Sequence, residues 1–156
     1  MYQGMLHLHS VLRWVVLIVA IIAVVKLLMG KNGKKEFTKK DRTPVLLYMI
    51  FLDIQLLVGI YLYFIGPMGF NQLKALGMGA AMKDKVIRFF TVEHTIGMLL
   101  AIILVHVANS FAKKDMPSKD KYSKMLYLVL ASIALILLFI PWPFREAIGR
   151  SLFPGM

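Results

Sequence analysis

LHLHSVLRWVVLIVAIIAVVKLL, residues 6–28, carries only two charged side chains, Arg13 and Lys26. A helix needs roughly 20 apolar residues to cross a bilayer core, so this run is long enough to span one. Three more runs follow: Val45–Ile65, Phe89–Ala112 and residues 125–140, the last closed by Pro141-Trp142-Pro143. The predicted fold is all-α, an integral membrane four-helix bundle running up-down-up-down, with the whole chain (1–156) as one domain. Composition agrees. The chain is 59% hydrophobic, where soluble domains average about 45–50%. Its mean hydropathy is +0.72.

The nineteen Lys and Arg against eight acidic residues leave a net charge of +11. Their distribution explains them better than any polyanionic partner does. Residues 31–42 hold six Lys/Arg and residues 113–124 hold five, whereas the N-terminal tail has none, residues 66–88 have four and the C-terminal tail two. The positive-inside rule then puts the first and third loops in the cytoplasm and both termini outside. Trp142, Tyr61 and Tyr63 fall at the outer ends of their spans, where interfacial aromatics collect. No groove-forming domain accompanies the charge, so nucleic acid is not an expected partner. The run follows no basic leader and has its basic cluster behind it, so a cleaved signal peptide is not expected.

The chain has no cysteine. That removes disulfides, thiolate-bound clusters and covalently attached haem, and leaves histidine, carboxylate, arginine and amide chemistry. Polar residues inside spans are costly and are functional candidates by default. They are His7, His9, Arg13, Asp53, Gln55, Glu93, His94 and His106. His9 near the start of span 1 and His94 near the start of span 3 fall at one depth, on helices that sit diagonally across a four-helix bundle. Two imidazoles so placed are the arrangement that axially ligates a b-type haem. His7 and His9 are about 200° apart around a helix, so only one faces the core. Leu12, Arg13, Val16, Ala20 and Ala23 continue the His9 stripe, which favours His9 and leaves His7 interfacial or a hydrogen-bonding neighbour. Below His94, the residues Gly97, Met98, Ala101, Val105 and Ala108 leave room for a macrocycle, or equally allow close helix packing.

His106 is twelve residues beyond His94, about 18 Å deeper and about 120° off its stripe. One haem is the expectation. A second, using His106, is the alternative to a His106 bonded to a carbonyl or to Asn109 and Ser110. Arg13 and Asp53 both count to a level near mid-membrane, which suggests an ion pair between spans 1 and 2. Other roles are a haem-propionate contact for Arg13 and a proton relay for Asp53 beside Gln55. Glu93 is a second partner for Arg13, or a hydrogen-bonding support for His94. Arg88 and Arg145, at the outer face, are further propionate candidates. Residues 72–82 are expected to form a short helix on the membrane or over the bundle mouth. Met68, Met78 and Met82 nearby could suit Cu(I), but with no His in that loop they read as packing residues. Residues 145–153 are expected to form a short interfacial helix.

At HLHSVLRW (7–14), IQLLVGIYLYF (54–64), RFFTVEHTIGM (88–98) and IPWPFR (140–145) the chain resembles small four-helix membrane proteins of Bacteroidetes-type bacteria, often labelled cytochrome b-like. The resemblance runs over nearly the whole chain. It implies a bacterial inner-membrane protein with His9 and His94 as haem ligands. The family pattern has a histidine where this chain has Asp53, which argues against a second haem. Four-helix cytochrome b561-type proteins offer an analogy of architecture for electron transfer with the quinone pool, or for a small subunit of a respiratory complex. Two rival expectations are a haem-free structural or assembly subunit, and a small proton-coupled transporter using Asp53, Glu93 and His94.

Overall fold

The computed structural model describes residues 1–153 and is all helical. The elements are α1 (Tyr2–Asn32), α2 (Lys39–Ile65), α3 (Phe70–Lys83), α4 (Lys85–Arg88), a π-helical turn (Phe89–Glu93), α5 (His94–Phe111) and α6 (Ser118–Phe139). Four helical stretches are long and apolar enough to cross a membrane: α1, α2, the continuous run Lys85–Phe111, and α6. The chain is a four-span integral membrane protein. That follows from the physics of hydrocarbon, where only a helix satisfies every backbone N–H and C=O within one segment.

The helices outrun the apolar stretches because their ends find polar partners. The Thr38 backbone N–H donates to Asp41 Oδ2 at 2.9 Å, forming a capping box, and Lys26 Nζ lies 3.3 Å from Asp41 Oδ1. The helix therefore starts at Lys39 and absorbs Pro44, which the sequence had left in the loop.

α1 packs on α2 and α6, and α5 packs on α2 and α6, so α1 and α5 face each other diagonally. The dry core holds Ala20, Ala23 and Leu27 of α1, Val45 and Tyr48 of α2, Ala101 and Val105 of α5, and Met125 and Val129 of α6. Small residues allow close approach where lipid supplies no hydrophobic drive between helices. Within the bundle, a Cβ on Gly30 would collide with the Tyr122 ring, and one on Gly97 with the Phe139 ring. In the stripe below His94, Gly97 meets the Phe139 ring, and Ala101, Val105 and Ala108 are buried against neighbouring helices.

The loop between spans 2 and 3 contains the expected helix, α3, broken at Gly77 by φ 75° and ψ 159°. The tail does not form the helix expected at 145–153. Residues 141–153 are turns that fold back over the end of the bundle shared with the start of α1. Prolines 141 and 143 lack the N–H groups that would continue α6. Instead Arg150 N donates to the Pro141 carbonyl at 3.0 Å, closing the tail on itself.

One polar contact crosses the dry core. The Tyr48 and Ser132 hydroxyls are 2.9 Å apart, and Ser132 is fully buried. Replacing Tyr48 by Phe strands the Ser132 hydroxyl, so thermal denaturation in detergent should show a loss of about 1–2 kcal/mol. The Tyr48→Phe/Ser132→Ala pair should recover part of it, and equal losses for single and double variants would mean the bond contributes nothing.

Candidate functional site

α6 ends where Pro141-Trp142-Pro143 begins, which leaves its last carbonyls without helical partners. Side chains take up three of them. Trp142 Nε1 donates to the Leu137 carbonyl at 2.8 Å, Arg145 Nη1 to the Leu138 carbonyl at 2.8 Å, and His94 Nδ1 to the Phe139 carbonyl at 2.7 Å. A carbonyl can only accept, so the proton of the neutral His94 ring sits on Nδ1. Its Nε2 then carries a free lone pair.

The element before His94 aims this ring. Phe89–Glu93 forms a π-helical turn, with the Thr95 hydroxyl donating to the Phe90 carbonyl at 3.4 Å. The extra residue in such a turn advances the helix phase by about 100°, and π-turns of this kind concentrate at functional sites. With that phase, His94 points across the bundle to α1. The His9 and His94 ring centres are 6.4 Å apart with the planes at 63°. Phe89 flanks His94 at 6.0 Å. The histidines expected to face each other across the diagonal do so.

His9 is held through its backbone. Gln55 Nε2 donates to the His9 carbonyl at 2.9 Å, and Gly59 keeps α2 close, its Cα hydrogen facing His9 where a Cβ would sit 3.5 Å from Cε1. His7 is exposed on the opposite side of α1. Among the described residues, the buried side-chain polar atoms without any partner are His9 Nδ1, Arg13 Nε, Trp14 Nε1 and Gln55 Oε1. Native interiors leave few such atoms, and each calls for an explanation. Here all four belong to α1 and α2 within two turns of His9. Sequence reasoning missed Trp14, which stacks on Phe153 with ring centres 5.9 Å apart.

The other expected partners are distributed differently. Arg13 does not pair with Asp53: its Nη2 donates to the Leu152 carbonyl at 2.6 Å. Depth counting put the two at one level, but Asp53 lies on the face of α2 turned to α5, where its Oδ1 is 2.9 Å from His106 Nε2. His106 is therefore bonded to a carboxylate, neither to a carbonyl nor to Asn109. Asn109 accepts from Arg42 Nε at 2.9 Å and donates to Met49 Sδ. Ser110 donates to the Val107 carbonyl. No second histidine stands opposite His106.

Glu93 pairs with neither Arg13 nor His94. Its Oε1 is 2.6 Å from Arg88 Nε, and Arg88 also donates to the Met82 carbonyl. Arg145 lies over the Phe89 ring at 5.0 Å. The three arginines named as propionate candidates thus each have a partner in this chain. Asp53, Glu93 and His94 sit on three separate partners and form no continuous relay. No cluster of three or more His, Asp or Glu that could enclose a metal ion occurs among the described residues. A cleft of about 620 Å³ lies at the basic end, between Gly30, Lys34, Lys35, Glu36, Ser118 and Tyr122.

The chemistry this site can support is that of two inward-facing imidazoles, one with a free, oriented lone pair, ringed by unpaired donors and one acceptor. Comparison of the chain with protein-family models, with curated proteins and with solved structures gave no match.

Proposed function

We propose that this four-span membrane protein binds one b-type haem through His9 and His94 and serves in electron transfer. One observation carries the reading: two imidazoles on diagonal helices with ring centres 6.4 Å apart, one of them locked by a backbone carbonyl in the tautomer that offers Nε2. His9 and His94, facing each other across the bundle, would hold the group between them. His94, its Nδ1 held by the Phe139 carbonyl, would offer Nε2 to the group, and His9, whose Nδ1 has no partner, would supply the second imidazole. Haem bound there supplies one-electron chemistry, its potential tuned by axial ligands, nearby hydrogen bonds and burial.

The chain's own residues do the rest. Phe139 orients His94, Gln55 fixes α1 against α2 at His9, and the surrounding apolar helices exclude water. Arg13 keeps an unpartnered Nε beside the site, able to meet a propionate. His106, bonded to Asp53 and facing no second histidine, supports a single haem. The basic ends of the helix pairs point to the cytoplasm, with both termini outside, in the inner membrane of a bacterium. The electron partner is proposed to be the quinone pool or a larger respiratory complex.

Reduced-minus-oxidised spectra of the purified, haem-supplemented protein test the reading. A Soret and α-band that vanish in His94→Ala and His9→Ala but persist in His106→Ala and His7→Ala are expected. A colourless wild-type protein that co-purifies with a larger complex would point instead to a structural subunit.

A steric test is independent of ligand removal. In Gly59→Leu the new side chain presses on the His9 ring, so haem content should fall at least tenfold while helicity by circular dichroism is kept. Gly79→Leu meets no atom within 4 Å of its Cβ and should bind haem as the wild type does.

A further inference from the structure

Asp53 and His106 form their pair on the outside of the bundle. Their side chains retain 41% and 49% of their surface exposed. Both lie inside spans. Asp53 is eight residues past Val45 and His106 six before Ala112, so each is ~9–12 Å inside the apolar boundary at about 1.5 Å per residue. Hydrocarbon offers such groups no hydrogen bond, and ionisable residues in spans face a bundle interior, a water-filled path or each other. The exposed large side chains near this depth on the outward faces of α1 and α6 are apolar: Ile18, Ile21 and Ile22 on one, Leu130 on the other.

The pair is also half satisfied. It uses Asp53 Oδ1 and His106 Nε2, while Asp53 Oδ2 and His106 Nδ1 make no hydrogen bond among the described residues. An acceptor and a ring nitrogen are left unbonded on two side chains that both keep exposed surface.

We propose that the α2/α5 face is a homodimer contact, in which Asp53 and His106 of one chain bond to His106 and Asp53 of a second copy. With each ring carrying both protons, Nε2–H donates to its own Asp53 and Nδ1–H to Asp53 of the second copy. The four bonds close a ring with no net charge. Self-complementarity selects this occupant over others. A two-fold axis along the membrane normal puts both copies of the pair at the same depth automatically, as a C2 contact requires. Lipid phosphates lie in the interface, beyond the reach of groups this far inside, and acyl chains bring no hydrogen-bonding atom. Leu57 on α2 and Ile103 on α5, 67% and 55% exposed, supply the apolar flanks of the contact. The proposal goes beyond the haem reading and stands without it, since neither His9 nor His94 takes part.

The absence of native cysteine makes the test direct, because a single introduced thiol reports one position. Leu57→Cys, Ile103→Cys and, as controls, Ile21→Cys on α1 and Leu138→Cys on α6 are oxidised in native membranes at low expression. Disulfide-linked dimer is expected from residue 57 or 103 and not from 21 or 138. Adding Asp53→Leu and His106→Leu to the cross-linking variant should lower its yield about fivefold, in line with the loss of an interhelical polar contact in lipid. Native mass spectrometry of the unsubstituted protein, which needs no variant to fold, should give twice 17.7 kDa. A monomeric mass, equal cross-linking on all faces, a yield unchanged by the double substitution, or a different polypeptide linked at residue 57 or 103 would each overturn the proposal.

Discussion

The hydrogen bond from His94 Nδ1 to the Phe139 carbonyl ties the termination of one helix to the chemistry of another. It exists because α6 stops. Two prolines within three residues cannot continue the ladder, so a carbonyl that would have been sealed inside the helix is free to accept. The same stop frees the Leu137 and Leu138 carbonyls for Trp142 and Arg145, which pins the tail over the end of the bundle. From there the tail reaches α1, giving Arg13 the Leu152 carbonyl and Trp14 the Phe153 ring. Helix end, imidazole tautomer, tail path and arginine partner are therefore consequences of one short motif.

Polar groups in the bundle are sorted by how completely they are satisfied. Tyr48 and Ser132 satisfy each other in the dry core and serve cohesion. Arg88 and Glu93, at the mouth and partly exposed, form a pair that contributes little to stability. Asp53 and His106 are half satisfied and face outward, and the atoms around His9 are buried and unmatched. Unmatched polar atoms in a low-dielectric interior are costly, so they are the places where an additional group has most to contribute. Among the described residues, the atoms around His9 lie within the bundle and the Asp53–His106 pair on its exposed side.

Much of the architecture was legible in the sequence. Apolar run length marked the spans, and counting residues from alternating ends placed His9 and His94 at one level. Counting gives depth well because a helix has a fixed rise. It gives azimuth poorly once anything disturbs the phase. Arg13 and Asp53 show the limit: counting suggested a pair between them, yet Arg13 bonds the Leu152 carbonyl and Asp53 bonds His106. The tail shows another. Residues 145–153 had the composition of an interfacial helix, but the prolines before them and the carbonyls they expose favoured turns.

By itself, the sequence determined that this chain crosses a membrane four times as helices and carries its histidines at set depths. Hydrocarbon forces helical hydrogen bonding, and rise per residue is invariant. Only the tertiary structure decided which way those side chains point. The π-turn at 89–93 rotates His94 toward His9, the crossing of α2 and α5 gives Asp53 to His106, and Phe139 packs on Gly97. These depend on helix phase and on neighbours distant in the chain, and no local pattern encodes either.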